Sequence, residues 1–489
     1  MNSPALVRPP FSRSVHRHGL SLMELLIATT ISIMVMGATV TLFGVVGERI
    51  NGGRAMIEVA DRLRSTQNLL HHDLRGVTVS FLPWEQPSAG SGYFEILKGP
   101  ARDSLPGSAN VTLGYTQDVL MFTTRSPDQP FTGRYMTGGS QTTIESPLAE
   151  VVWYMQPTFN AAGQRAGANG GATTYTLYRR QFLISPVWIQ SPPTPPGTPL
   201  NIGTGQANLN QYYDNYDVSA HPDRFNPGNM IANSLADLTY RDNRFAHNNF
   251  QSKAKAPFVV NATTLTAAPA WSSYFANSLT PFPVDDPSQR YGEDVVLTNV
   301  LSFDVKVWDP GAAVLPDASQ RPLVPSDPGY IPEFKNWRAA TYPAAWHAQP
   351  VQYGAYVDLN YANTPINFGG SIPPSYFANG FFGSGNNGGP FSLLVAGNNN
   401  GIATYDSWCQ GYEYFHYDIQ ANQSPNQAYD GFDNGTAGAS NGVVDDPTER
   451  LSSPPYPVPL RGVQIKIRVY EPSTRQVREV TIAETFLPD

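Results

Sequence analysis

The sequence predicts an α+β protein, a long N-terminal helix followed by an antiparallel, β-rich body. Three observations carry that expectation. Residues Leu25 to Val46 run for 22 positions without a charged side chain. An amphipathic stretch continues from there to Arg75. Beyond Gly76 the chain turns to aromatic and β-branched runs separated by Gly, Pro and Asn.

As a helix rising about 1.5 Å per residue, the uncharged run spans about 33 Å, enough for the hydrocarbon core of a bilayer. The residues before it, MNSPALVRPPFSRSVHRHG, hold Arg8, Arg13 and Arg17 and no acid. Such a flank stays cytoplasmic and sends the C-terminal body outside. The run is too long for the apolar region of an ordinary secretory signal. A plain membrane anchor would leave Glu24 unexplained, because a carboxylate at the bilayer centre costs about 2.5–3.5 kcal/mol and calls for a partner.

In the amphipathic continuation, Ile50, Ile57, Ala60, Leu63, Leu70 and Leu74 recur near helical spacing and predict the packing face. Gly52-Gly53 is a soft point and Gly76 the end. His71-His72-Asp73 carries metal-ligand chemistry, but adjacent residues on a helix diverge by about 100°. A solvated helix face is the expectation there.

In the body, strand-like runs fall at 118–126, 150–158, 174–184 and 299–309. The second and third flank a Gly/Asn-rich connection and predict a long-looped hairpin. The chain closes with two alternating runs around Glu471-Pro472-Ser473-Thr474, a hairpin turn. Two stretches, about 191–290 and 310–450, are thick with Pro, Gly, Asn and Tyr. They read as loop-rich inserts, with short strands of their own, hung on one sheet. Overall, 42 Gly and 44 Pro make a turn-rich chain, while 25 Tyr and 24 Phe supply a sheet core.

The formal net charge is −8 and no long basic run occurs, so nucleic acid is not an expected partner. Cys409 is the single cysteine, which excludes an internal disulfide and a cysteine metal cluster. Nucleophile-elbow, P-loop, HExxH and CxxC motifs are all missing, and the expectation is a protein that is not an enzyme. One segment offers hard oxygen ligands between glycines: Asp430, Asp433, Asn434, Asn441, Asp445 and Asp446. It departs from the EF-hand register at Phe432 and Gly435. A calcium site and a series of Asx/Gly turns both account for it.

His18-Gly19 followed by Leu20-Ser21-Leu22-Met23-Glu24-Leu25-Leu26 resembles the N-terminal signal of type IV prepilins and type II secretion pseudopilins. The resemblance implies that a prepilin peptidase cuts between Gly19 and Leu20 and methylates Leu20. It also places Glu24 at the family's acidic fifth mature position, an assembly residue. Leu20 stands where most members have Phe. The strand series VVWYMQP…YTLYRRQFL, NVLSFDVKVWD and the terminal hairpin are similar to J-type minor pseudopilins and W-type minor pilins. That similarity covers about 200 residues in pieces, with inserts larger than the family's usual ones. Calcium sites known among pseudopilins add weight to the segment from Asp430 to Asp446.

The resemblance implies a type IV pilin-like fold: leader 1–19, transmembrane helix 20–47, amphipathic continuation 48–75 and extracytoplasmic body 76–489. It implies a minor pilin or pseudopilin subunit that initiates or caps a filament of a type IV pilus or type II secretion system. Its partners would be other pilins through the N-terminal helix, the prepilin peptidase and the membrane. The alternative is a pilus-presented, adhesin-like module that binds a surface ligand through the inserts.

Overall fold

The computed structural model describes residues 21–81, 89–97, 102–104, 112–115, 118–137, 140–158, 174–185, 187–188, 199–200, 216–222, 230–239, 243–245, 295–325, 327, 329–330, 333, 351–359, 404–407 and 460–486. The chain divides into two compact units, Met1–Glu58 and Val59–Asp489. One long apolar N-terminal helix and a large antiparallel sheet make it an α+β protein.

Helix α1 (Leu22–Arg75) is 54 residues long and continuous through Gly52-Gly53. A capping box starts it: the Ser21 amide donates to the Glu24 carboxylate at 2.9 Å, and the Glu24 amide donates to Ser21 Oγ at 3.2 Å. From residue 59 onward it buries Val59, Leu63, Thr66, Leu70, Asp73 and Leu74. This stripe differs from the expected one. Ile50 and Ile57 are 51% and 65% exposed, about 160–180° around the helical wheel from Val59. Two apolar stripes share the helix, and periodicity alone does not say which meets the sheet. Gly76 closes the helix where a Cβ would collide with the Arg125 carbonyl; the Arg125 amide donates to Gly76 O at 2.6 Å.

The central sheet has ten strands among the described residues. They are β1 (Phe94–Leu97), β2 (Val119–Arg125), β3 (Leu148–Pro157), β4 (Tyr175–Leu183), β5 (Val295–Pro316), β6 (Pro322–Leu323), β7 (Gln352–Val357), β8 (Thr404–Asp406), β9 (Gly462–Glu471) and β10 (Gln476–Thr485). Their order is β8-β1-β2-β3-β4-β5-β9-β10, with β6 and β7 also paired to β5. Every pairing is antiparallel. The expected hairpins are present: β3 pairs β4 from Ala149↔Leu183 to Pro157↔Tyr175, and β9 pairs β10 over ten residue pairs from Gly462↔Thr485 to Glu471↔Gln476.

Alternation along the strands gives the sheet two covered faces within the second unit. One carries Phe94, Phe122, Thr124, Val151, Trp153, Arg179, Phe303 and Ile465 and receives the helix from Val59 to Leu74. The opposite face carries Glu95, Glu150, Arg180 and Phe182. It is covered by residues 216–222, 230–239 and 243–245 of the first insert, where Phe245 packs on Phe182 with ring centroids 4.4 Å apart.

The second insert differs from its sequence reading. Strand β5 runs on through Asp309-Pro310-Gly311, and a register shift between Asp309 and Ala313 absorbs them. Proline cannot donate to a ladder, so a bulge is where it fits. Strands β7 and β8 also come from this insert and extend the central sheet beside β5 and β1. They are structural parts of the body's own sheet.

Candidate functional site

The first feature with functional content is the helix segment before residue 47. It is long and apolar enough to cross a membrane, and none of its most apolar window is buried. Leu25, Ile31, Ile33, Met34, Val40 and Phe43 are all more than half exposed. Its threonines are satisfied internally. Thr29 and Thr30 donate to Leu26 O, Thr39 to Val35 O and Thr41 to Gly37 O, at 2.8–3.0 Å. A helix that closes its own polar groups suits a medium without water. Glu24 sits in the first turn, exposed, with its carboxylate on the capping box.

The second feature is the seat of the helix on the sheet. Asp73 is fully buried. Its carboxylate accepts from Arg179 Nε and Nη2, each at 2.7 Å, and from Trp153 Nε1 at 3.0 Å. Its carbonyl accepts from Thr124 Oγ1 at 2.7 Å. Strands β2, β3 and β4 thus grip one helical residue. Beside it, His71 Nδ1 lies 3.0 Å from Glu484 Oε2 on β10. The expectation of a solvated face at His71-His72-Asp73 is therefore corrected. His72 is exposed, but Asp73 is a buried anchor and His71 a hydrogen-bond partner of the last strand. The signal available in the sequence was spacing: Leu63, Thr66, Leu70 and Asp73 share one stripe.

The third feature lies on the opposite face. Arg244, from the first insert, is fully buried. Nη1 donates to Glu95 and to Asp406, each at 2.7 Å, and Nη2 donates to Asp406 at 3.3 Å. Nε donates to Leu238 O at 3.0 Å and Nη2 to Thr239 O at 3.4 Å. Five contacts match the five donors of a guanidinium. The cation also lies 4.0 Å from the Tyr93 ring centroid. Glu95 belongs to β1 and Asp406 to β8 of the second insert, so one cation ties both inserts to the sheet.

Next to it, Glu150 accepts from Tyr93 Oη at 2.7 Å, Ser219 Oγ at 2.6 Å and the Phe245 amide at 3.0 Å. Burial raises its carboxyl above the ordinary value, against the pull of these donors and of Arg244. Burial and the Glu150 charge hold the Tyr93 phenol well above its ordinary value, so it donates.

A fourth group, Asp118, Asp304 and Asp358, brings three buried carboxylates together, with oxygens within 4.8 Å of one another. The ammonium of Lys306 lies 3.5 Å from Asp304 and 3.9 Å from Asp358, supplying positive charge from within the chain. Gly19, Leu20 and the six expected calcium ligands, Asp430, Asp433, Asn434, Asn441, Asp445 and Asp446, lie outside the described residues. Set against known protein families, curated proteins and solved structures, the chain matches none of them.

Two outcomes are expected. Arg244→Ala leaves Glu95 and Asp406 buried without their cation and should cost about 3–5 kcal/mol in chemical denaturation. Arg244→Met, which keeps the bulk, should cost no less while both acids remain. Glu150 gives a pH signature. A carboxyl raised in the folded state contributes stability that is full below its ordinary value of 4.5 and is lost as pH rises through its folded value. Glu150→Gln keeps an acceptor for Tyr93 and Phe245 and removes the titration. The melting temperature of Glu150→Gln relative to the unsubstituted protein should therefore climb as pH rises above 4.5. In unfolding free energy the corresponding slope is at most about 1.4 kcal/mol per pH unit; a difference that stays flat with pH contradicts the assignment.

Proposed function

We propose that the chain is a minor pilin or pseudopilin subunit of a type IV pilus-like or type II secretion filament, matured by a prepilin peptidase. The observation that carries this reading is the division of labour along α1. Its first part is apolar, exposed and membrane-compatible, with one acid in the first turn; its last part is seated on an antiparallel sheet. A subunit that must sit in a membrane and then pack helix on helix needs that arrangement. The leader-like sequence before Leu20 supports it, as does the run of residues around Glu24. In this reading the leader is cytoplasmic, the helix crosses the inner membrane once, and the body is extracytoplasmic.

Glu24 is then the charge that selects a neighbour. In the isolated chain its carboxylate rests on the Ser21 amide. In an assembly it pairs with the N-terminal amine of an adjacent subunit, offsetting the cost of both charges in apolar surroundings. The chain purified from its native host should start at Leu20, which takes the formal charge from −8 to −11 by loss of Arg8, Arg13 and Arg17. Glu24→Gln, still able to cap, should be cleaved and inserted normally yet co-purify poorly with partner pilins. An intact Met1 terminus would sink the reading, and undiminished co-purification of the variant would remove the role of Glu24.

A further inference from the structure

We propose that Lys306 and Asp358 become joined by an intramolecular amide that the folded body forms without an enzyme. Lys306 lies on β5, and Asp358 follows directly on β7. Val307 and Val357 are register partners, so Lys306 and Asp358 stand opposite each other at the next position. The Lys306 side chain is 3% exposed and that of Asp358 6% exposed. Around them, Asp304 lies 3.5 Å from the ammonium, and Asp118 completes the carboxylate group. Asp118 is held in place by the Val305 amide, which donates to its Oδ2 at 2.7 Å, and its own amide donates to Phe303 O at 3.1 Å.

The spacing leaves Lys306 less tightly paired than the other buried cations described above. The other buried pairs, Arg179 with Asp73 and Arg244 with Glu95 or Asp406, close at 2.7 Å. Lys306 does not close on either carboxylate; it stands at 3.5 and 3.9 Å. The atoms that react are Lys306 Nζ and Cγ of Asp358; the nearer carboxylate oxygen of Asp358, Oδ2, is 3.9 Å from the nitrogen, so the two side chains close further to reach the separation of about 3–3.5 Å from which bound groups react. Burial also favours the product, because an ammonium and a carboxylate kept from water carry a desolvation cost that a neutral amide does not. The chain has one cysteine and so has no disulfide within it to tie these strands.

The step balances within the cluster. The Lys306 ammonium passes a proton to the nearest carboxylate, Asp304, which relays it to Asp358, leaving a free amine beside a neutral carboxylic acid. The amine lone pair attacks Cγ of Asp358, and a C–N bond forms. A second proton leaves the nitrogen through Asp304 to the departing hydroxyl, the C–O bond breaks, and one water is expelled. No oxidant or co-reactant takes part, and Asp304 ends as it began. Asp118 is a positioning residue that holds the group on β5.

Intact mass spectrometry of the denatured full-length protein tests this. The expected mass is one water below that of the sequence from whatever N-terminus the protein carries. Digestion should yield a branched peptide linking positions 306 and 358, with no cleavage after Lys306. Lys306→Met and Asp358→Ala should each restore the full mass. Asp304→Asn, which keeps size and polarity, should leave most of the protein unlinked, and its cooperative melt would show that folding is not at issue. A full sequence mass in the unsubstituted protein, with normal cleavage after Lys306, overturns the proposal. So does a water loss that maps to other residues.

Discussion

The buried carboxylate of Asp73 is the interaction on which the arrangement of the body depends. A helix can lie on a sheet through apolar contacts alone, but such contacts leave its position along the axis loosely specified. Asp73 removes that freedom. It takes two bonds from Arg179 and one from Trp153, while its carbonyl holds Thr124. Three adjacent strands therefore agree on the placement of one residue. The apolar residues of the same stripe, Leu63, Leu70 and Leu74, supply the area. The charge supplies the register, the role best attested for buried ion pairs.

The opposite face repeats the principle with the signs exchanged. There the sheet offers carboxylates, Glu95 and Glu150, and the insert brings Arg244. Asp406, from a strand far along the chain, joins the same guanidinium. A chain low in charged residues, at 14%, thus spends several of them inside. Sheet faces rich in Val, Phe and Tyr could accept many docking partners, and a buried charge penalises every arrangement that leaves it unpaired.

Much of this was legible in the sequence, and the reasons for the rest are specific. The long helix announced itself through Leu25–Val46 and the stripe containing Leu63 and Leu70. Strands β2, β3, β4, β9 and β10 announced themselves through alternation and β-branched content. Ile50 and Ile57 misdirected the packing face because an exposed apolar stripe and a buried one have the same period. Pro310-Gly311 hid the second half of β5, since a bulged strand and a broken one look alike in sequence. Strands β7 and β8 are short, β7 following an Ala/Pro-rich stretch and β8 a Gly/Asn-rich one, so only their partners identify them. The charged clusters were the least legible. Arg244, Glu95 and Asp406 are far apart in sequence, and a single Arg or Asp in a loop reads as solvated until the fold brings its partners to it.

The most direct test of this account is hydrogen exchange along α1 in the full-length protein, comparing Asp73→Ala with the unsubstituted chain. Losing a buried partner of Arg179 should cost about 3 kcal/mol locally, so amides from Leu63 to Leu74 should exchange on the order of 100-fold faster. Amides of β9 and β10 should keep most of their protection, because their own ten-pair ladder is untouched. Unchanged exchange in that helical segment, or a loss spread evenly over the whole sheet, would contradict the claim that Asp73 fixes the helix to the body.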